Sequence, residues 1–355
     1  MASFRKLPSG LWQATVFLPS KKRISRTDPL KKVVVAWATD TEAQIRRGKW
    51  RDPRAQTTTI GQWHSVWEPT RTVEYETARA DEGSWRLHLK DTFADMRLID
   101  LNKIDVEAWV KERLEAGIGR SAIRRALNFL KALIEAAVEN DLIEKNVARR
   151  VPTPEKPKGP PRWFTRAEVD KITAAMRSED KKWVPMAVMT EVMVWGGLRW
   201  GEAAALFPED IDWARSKIIV THNLMQSGKD KPYPKNSASV GEVPIPKWLL
   251  ENLQSLAKDL PPGQRLFTTR RQARNLTGAN WRKDWDAMLV KAKVKPGTPH
   301  VCGHTCASWL VQAGVSLYEV RRHLRHASMK TTEIYAHLAP DEHASVINAW
   351  GIFSA

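Results

Sequence analysis

Five side chains that could do chemistry follow one another along the C-terminal half of this sequence. The first is an arginine that follows the glycine pair Gly196-Gly197, where a tight backbone turn can present its guanidinium. Guanidinium and ammonium groups bind anionic oxygens, a histidine can exchange a proton, and a tyrosine hydroxyl can attack as a nucleophile. Each residue alone also has an ordinary structural interpretation, such as an ion-paired arginine or a solvated lysine. The functional interpretation therefore depends on all five residues occurring together in this order: Arg199, Lys235, His300, His326 and Tyr335.

A second group of reactive side chains lies near position 300. It comprises His300, Cys302, His304 and Cys306, all of which are metal-ligand types. In a helix a two-residue step turns about 200° around the axis, so these four side chains cannot converge on one ion. We therefore expect no metal site here. The two cysteines are the only ones in the chain, which indicates free thiols in a reducing compartment.

The motifs around the ordered set carry a more specific signal. An arginine lies in GLRWGE, a lysine in YPKNSAS, a histidine in PHVCGH, and a second histidine in HLRHAS, nine residues before the tyrosine of TTEIYAH. In this order and spacing the sequence resembles the tyrosine recombinases of the phage integrase family. That family carries an arginine, a hairpin-loop lysine, a His-x-x-Arg pair opening a helix, a Leu-Gly-His segment and a nucleophilic tyrosine. The regions before these motifs also resemble the DNA-binding domains of integrases, so the resemblance covers nearly the whole chain.

The resemblance implies a reaction and a role for each matching residue. A DNA strand is transferred to tyrosine through a 3′-phosphotyrosyl bond, which retains the bond energy and needs neither ATP nor a metal or other cofactor. Cationic donors must be preorganised around the phosphorane oxygens, where charge builds up. The implied roles are Arg199 as phosphate clamp, Lys235 as general acid for the 5′-hydroxyl, His300 as proton-exchange or orienting group for the tyrosine, His326 as donor to a nonbridging oxygen, and Tyr335 as nucleophile.

Two positions depart from the family pattern. Gly303 stands where the His-x-x-Arg pair has its arginine, and Arg325 stands where the later segment has glycine. Losing one preorganised donor costs on the order of 10² to 10³ in rate. One hypothesis is a recombinase in which Arg325, or failing it Arg321 or Arg322, replaces the lost cation. The other is a catalytically impaired protein of the same fold that occupies attachment-type DNA sites as a competitor or regulator.

The composition of the chain favours a nucleic-acid partner. Its 355 residues include Lys+Arg 57 against Asp+Glu 40, a formal net charge of +17, with 42% hydrophobic residues. This length predicts two or three domains. The positive charge favours a polyanion, because Lys and Arg that neutralise phosphates release condensed counterions. No stretch approaches the roughly 18 apolar residues of a membrane span, and the N-terminus lacks the apolar core of a signal peptide. We expect a cytoplasmic protein, and the resemblance implies a bacterial cell or a phage-infected host.

Residues 1–54 form a basic block with thirteen basic and four acidic side chains, a net +9. The turn signal Pro8-Ser9-Gly10 and the alternating apolar positions after it predict a short antiparallel sheet. The segment 31–35, KKVVV, is compatible with a third strand or with the start of a helix. We interpret the block as an arm-type DNA-binding domain, with Arg23 and Arg26 among its DNA-contacting residues.

The remaining sequence predicts two further domains, 58–152 and 163–355, joined by a Pro- and Lys-rich linker over 153–162. In the first, a helical core-DNA-binding domain, the strongest helix is SAIRRALNFLKALIEAAVENDLI, whose basic flank is expected to grip the DNA backbone through Arg124, Arg125 and Lys131.

The second is the expected catalytic domain, mostly helical with one strand-like pair, KIIVTHNL and GEVPIP. The predicted fold class is thus mainly α with small β elements (α+β). The resemblance implies three kinds of partner: double-stranded DNA with core and arm sites, further copies of the chain in a homotetramer on that DNA, and accessory DNA-bending or directionality proteins.

Overall fold

Two compact units make up the chain in the computed structural model, one spanning Met1–Pro157 and the other Lys158–Ala355. The structure describes residues 2–18, 23–47, 50, 56–155, 161–231, 241–269, 274–340, 347 and 350. Both units are mostly helical and contain a small antiparallel sheet, which confirms the predicted mixture of helices with minor β elements. Within the described ranges, no helix combines the length and the apolar character needed to cross a membrane.

The N-terminal sheet has three strands, each antiparallel to the next: β1 (Ser3–Lys6), β2 (Trp12–Phe17) and β3 (Arg23–Asp28). Ala14 and Val16 of β2 are buried and pack against Val34 and Ala38 of α1 (Lys31–Arg46). Val34 and Ala38 are one helical turn apart and lie on the same face. The segment that the sequence leaves open between strand and helix is therefore the first turn of a helix.

A helical bundle follows in the same unit: α2 (Ile60–Trp67), α3 (Tyr75–Ser84), α4 (Lys90–Phe93), α5 (Lys103–Glu115) and α6 (Arg120–Glu139). The apolar stripe predicted along α6 is buried from Ile123 to Ile134. The indole of Trp63 donates a 2.9 Å hydrogen bond to the Leu133 carbonyl, so this tryptophan anchors the packing of α2 against α6.

The second unit is built around one helix that is buried on all sides. Its helices are α7 (Arg166–Glu179), α8 (Val184–Trp195), α9 (Trp200–Ala205), α10 (Lys247–Ala257), α11 (Gly278–Lys291), α12 (His300–Gln312), α13 (Leu317–His323) and α14 (Lys330–Glu333). Residues 186–194 of α8 are all buried, and α7, α10 and α12 pack against it. Because α8 ends directly before the Arg199 motif, the backbone that enters this motif is held in place by the core.

A three-stranded antiparallel sheet accompanies these helices: β4 (Ile211–Asp212), β5 (Lys217–Val220) and β6 (Gly241–Pro244). The register of β5 and β6 runs from Lys217 opposite Pro244 to Val220 opposite Gly241, which confirms the predicted strand pair. Lys235 lies between these two strands, outside the described residues.

Candidate active site

Arg199 lies where the buried helix α8 gives way to the short helix α9. The backbone turns at Gly197, whose φ of +64° is left-handed, and a Cβ there would lie 2.4 Å from Cδ2 of Leu324. The tight turn predicted from the glycine pair is therefore present. The Arg199 side chain is 48% exposed, and its Nη1 donates a 2.8 Å hydrogen bond to Oε1 of Glu202. Its other N–H groups remain as donors for an anion.

Helix α12 carries two histidines and two cysteines in different environments. His300 opens the helix and His304 follows one turn later, with their rings 4.6 Å apart in an edge-to-face arrangement. Cys302 and Cys306 belong to the hydrophobic core, and burial raises the pKa of both thiols. The segment is thus helical, as the argument against a shared metal ion requires.

Tyr335 lies just beyond α14, and its hydroxyl contacts α12. Its Oη is 2.5 Å from Nδ1 of His304, and the residue is only 2% exposed. Burial first, and then the Cys306 thiol, raises the pKa of Tyr335 to about 12. The phenol therefore keeps its proton at neutral pH. It meets His304, one helical turn from the His300 that the resemblance pairs with it.

His326 follows α13, with its Nδ1 2.9 Å from Oγ1 of Thr332. Burial, followed by the charges of Arg199, His300 and Arg325, lowers the pKa of His326 to about 4. Burial and then Arg199 likewise lower the pKa of His300. The structure therefore brings four of the five sequence-predicted side chains, together with His304, into one electrostatically coupled cluster: Arg199, His300, His326 and Tyr335.

Arg325 adjoins this cluster through a carboxylate. Its Nη2 donates a 2.6 Å hydrogen bond to Oε2 of Glu202, and both side chains are almost fully buried. Its Nη1 donates to the carbonyl of His323. The φ of Arg325 is +54°, in the left-handed region that follows many helix C-termini and favours glycine, which accounts for the glycine of the family pattern. In this structure Arg325 is a buried ion-pair partner of Glu202.

The other two arginines considered as replacements differ from Arg325 in environment. Arg321 donates from Nε to the His326 carbonyl at 3.2 Å and so supports the backbone that carries this histidine. Arg322 is exposed on α13. Both lie on the helix that precedes His326, so either would have to reorganise in order to take the place of a guanidinium on α12.

Gly303, the position of the missing arginine, lies on α12 between His300 and His304. A Cβ built there meets nothing within 4 Å. Among the described residues the glycine is therefore not required by packing, and a Cβ fits at this position without a clash.

Strand β6, which follows the segment that carries Lys235, begins next to Arg325. A Cβ added to Gly241, where β6 begins, would lie 3.2 Å from Cδ of Arg325, so the strand after the loop begins beside the site. Lys235 itself lies outside the described residues.

The predicted DNA-contacting residues belong to the first unit. Lys131 donates from Nζ to the Val151 carbonyl at 2.9 Å, and burial lowers its pKa, so this lysine ties α6 to the segment after the bundle. The other four are exposed, two on β3 and two on α6: Arg23, Arg26, Arg124 and Arg125.

Two residues were not predicted from the sequence: His304, which belongs to the cluster, and Glu202, which binds Arg199. His304 was considered only as a metal ligand, although its position four residues after His300 places both on one face of a helix. Glu202 stands three residues after Arg199, the spacing at which an acidic side chain caps the first turn of a helix, and it accepts a 2.8 Å hydrogen bond from the Arg199 backbone N–H. Both spacings could have identified these residues.

Comparison with known proteins identifies the class of this arrangement. Residues 162–342 match the phage integrase family, and this stretch is just over half of the chain. The chain therefore belongs to the phage integrase family, whose members are tyrosine recombinases.

Individual relatives have low sequence identity to this chain but align with most of its length. The chain is 24% identical to the tyrosine recombinase XerC of Pediococcus pentosaceus over 277 residues, which cover 74% of this chain and 86% of that protein. It is 26% identical to the tyrosine recombinase XerD of Pseudomonas aeruginosa over 239 residues, which cover 66% of this chain and 76% of that protein.

Two solved integrase structures share the fold. The integrase of the Tn1549 transposon, in complex with a circular intermediate DNA, has a TM-score of 0.70 at 19% identity and covers 84% of this chain and 100% of its own. A lambda integrase dimer bound to a COC′ core site has a TM-score of 0.65 at 15% identity and covers 94% of this chain and 93% of its own. At these identities the likeness establishes the fold.

Proposed function

We propose that this chain is a site-specific DNA recombinase of the integrase type, which cuts and rejoins DNA through a 3′-phosphotyrosyl intermediate in integration or excision. The observation that carries the proposal is the buried hydroxyl of Tyr335 in contact with His304, beside a half-exposed Arg199. Membership of the phage integrase family supports the same chemistry.

In this proposal Tyr335 Oη attacks the scissile phosphorus and displaces the 5′-oxygen. Arg199 clamps two nonbridging oxygens through its planar fork, and Lys235 gives a proton to the leaving oxygen. Because Nδ1 of His326 is occupied by Thr332, Nε2 is the nitrogen that donates to a nonbridging oxygen. One phosphodiester is exchanged for another, so the reaction uses no ATP, metal or other cofactor.

The proposed substrate is double-stranded DNA with attachment-type core and arm sites. The net charge of +17 and the exposed arginines on β3 and α6 support it, since cations that neutralise phosphates release counterions. Integrases with this fold have been solved as a dimer on a core site and as a tetramer on a Holliday junction. By analogy we assign this chain a homotetramer on DNA, accessory DNA-bending or directionality proteins, and a place in the cytoplasm of a bacterial cell or phage-infected host.

A second candidate function is a catalytically impaired DNA-binding protein that competes for, or regulates, attachment-type sites. Two observations favour it. Gly303 offers no donor at the position of the second family arginine, and the guanidinium of Arg325 is engaged by Glu202. A site with one exposed clamp would lose on the order of 10² to 10³ in rate.

Covalent capture separates the two candidates. A cognate duplex is first selected by binding from a randomised library and then nicked close to the cleavage position, so that the released fragment diffuses away and the adduct accumulates. A recombinase yields a protein–DNA adduct that survives a denaturing gel, and Tyr335→Phe abolishes it while leaving affinity nearly unchanged. Binding without an adduct supports the second candidate. An adduct formed by Tyr335→Phe would contradict the assignment of the nucleophile. Tyr318, the nearest other tyrosine in the sequence, would then be the next candidate.

A further inference from the structure

The contact between Tyr335 and His304 is the shortest link in the cluster between a nucleophile and a group able to take its proton. The separation of Oη and Nδ1 is 2.5 Å, shorter than a normal hydrogen bond, so the two atoms are in direct polar contact. The two rings lie at 52° with centroids 6.0 Å apart, so the contact is made by the polar atoms and not by stacking. His300 lies behind His304, edge to face with it.

We propose that His304 is the general base that accepts the hydroxyl proton of Tyr335 as Oη attacks the scissile phosphorus, with His300 as a positioning residue behind it. This inference rests on the recombinase function proposed above. It assigns the role of general base to His304, whereas the resemblance to the family assigns proton exchange to His300, one helical turn earlier.

In the proposed step each proton that leaves one group is taken up by another. The O–H bond of Tyr335 breaks, its proton goes to Nδ1 of His304, and the oxygen lone pair forms the Oη–P bond while the P–O5′ bond breaks. The 5′-oxygen takes its proton from Lys235. In the rejoining step the 5′-hydroxyl attacks the phosphotyrosine and gives its proton back to the neutral amine of Lys235, while the imidazolium of His304 returns its proton to the departing Oη. The enzyme ends each cycle in its starting protonation state.

The surroundings keep this pair uncharged until DNA is bound. Burial lowers the pKa of His304 to about 4, and the positive charges that His300 and His326 carry when protonated add to this effect. The ring of His304 is therefore neutral at physiological pH and holds a lone pair. The raised pKa of Tyr335 keeps the phenol protonated. The proton therefore stays on oxygen in the free protein and moves only as the Oη–P bond forms, when the anionic phosphate beside the ring favours an imidazolium.

The decisive variant is His304→Asn, because an asparagine places an amide atom near the position of Nδ1. This side chain can still bond to the phenol but is not a base. We expect its single-turnover cleavage to fall by at least about 100-fold, the usual range for loss of a general base, while binding to DNA is unchanged. His222→Asn is the matched control, since His222 belongs to the same unit but pairs with Asp210. Its cleavage rate should equal that of the wild type.

A sulfur substrate distinguishes a base from an acid. When sulfur replaces the bridging 5′-oxygen of the scissile phosphate, the leaving group departs as a thiolate and needs no proton. Lys235→Ala should therefore regain activity on this substrate, whereas His304→Asn should remain slow. Added imidazole should partly restore His304→Ala, whose cavity can admit a free base, and should leave His304→Asn unchanged because the amide fills that space. A positioning role alone would not give this rescue.

Several outcomes overturn the inference. Cleavage by His304→Asn within about threefold of the wild type would show that the contact carries no proton, since loss of a base costs far more. Recovery of this variant on the sulfur substrate would make His304 part of the leaving-group machinery. Imidazole rescue of His300→Ala in place of His304→Ala would return the base to His300. If the wild type forms no adduct on either substrate, the recombinase function itself fails. An adduct with unaffected His304 variants refutes only the inference.

Discussion

Arg325 donates from Nη2 to Oε2 of Glu202 over 2.6 Å, and the same carboxylate accepts hydrogen bonds from Nη1 and the backbone N–H of Arg199. One buried acid thus joins the arginine that matches the family to the arginine that departs from it. The carboxylate is 1% exposed, so its charge needs these partners. Arg325 therefore contributes to the site by holding Glu202, and through it the Arg199 turn.

Truncation of Arg325 should destabilise the protein in a way that depends on the replacement. Arg325→Ala should lower the free energy of unfolding by about 3 kcal/mol, because it removes one partner of a buried ion pair. Arg325→Gly should cost about 1 kcal/mol less, since glycine adopts the positive φ of this position without strain. Urea unfolding measures both, with the exposed Arg322→Ala as a control that should be neutral. Equal losses for the two truncations would refute the strain argument.

Substitution of Arg199 should separate binding from catalysis. Arg199→Ala removes the charge that the proposed mechanism places against the scissile phosphate, so it should weaken both DNA affinity and cleavage. Arg199→Lys keeps the charge but loses the planar fork, so cleavage should still fall by about 100-fold while affinity changes little. Gel-shift titration and single-turnover adduct formation measure the two effects. A lysine variant that cleaves at the wild-type rate would contradict bidentate clamping by this residue.

Acid should destabilise the folded protein through the histidines of the site. The pKa of His304 and that of His326 are each about 4 in the fold, whereas histidines of the unfolded chain titrate near about 6.5. Between these values the unfolded chain binds more protons, so the stabilisation is fully present above about pH 6.5 and is lost as the pH falls toward 4. The thermal midpoint should drop from pH 7 to pH 5, and the drop should be smaller in a variant with both histidines replaced by asparagine. An equal drop would assign the effect to other groups.

The sequence predicts the helices of the second unit from local patterns, and it identifies most of the cluster through the ordered motifs that resemble the family. The order of the motifs places Arg199 at a turn and His300 at the start of a helix, and the structure has both features. The first strand pair of the N-terminal sheet and the stripe on α6 follow from period-2 and period-3.6 patterns in the same way.

What the sequence does not reveal are contacts between distant segments. Tyr335 meets His304 across a separation of 31 residues, and Arg325 meets Glu202 across 123. Neither pairing follows from local spacing, because each depends on how α12, α13 and α9 pack around α8. The start of α1 was ambiguous for a different reason, since a run of three valines suits a strand by propensity and becomes helical through packing of Val34 on the sheet.

The basic N-terminal block should contribute to DNA binding separately from the rest of the chain. Deletion of residues 1–54, which carry a net +9, should weaken binding to arm-type sites while leaving core-site binding detectable. Binding of the intact chain should also fall steeply with salt, with a slope of roughly −0.9 in log K against log salt for each neutralised phosphate. Gel-shift titrations at several salt concentrations measure both effects. Equal loss at core and arm sites would refute a separate arm-binding role.

An arginine introduced at Gly303 tests whether the site lacks a phosphate clamp. A Cβ at Gly303 would lie within 4 Å of none of the described residues, so we expect Gly303→Arg to fold normally. If the wild-type site lacks only a phosphate clamp, this variant should raise the single-turnover cleavage rate by at least roughly tenfold, or about 1.4 kcal/mol of transition-state stabilisation. Gly303→Gln adds a side chain of intermediate length without charge and should give no gain.

The expected result of this experiment depends on whether Arg325 binds Glu202 or the phosphate when DNA is present. If Arg325 leaves Glu202 to bind the phosphate when DNA arrives, Gly303→Arg should add little and Arg325→Gly should abolish cleavage. If Arg325 only holds Glu202, the two changes should act through different groups, and the double variant Gly303→Arg with Arg325→Gly should keep most of the gain of the single arginine. Because the guanidinium of Arg325 is already bonded to Glu202 and to the His323 carbonyl, we expect the second result. A double variant slower than the wild type would instead assign the phosphate contact to Arg325.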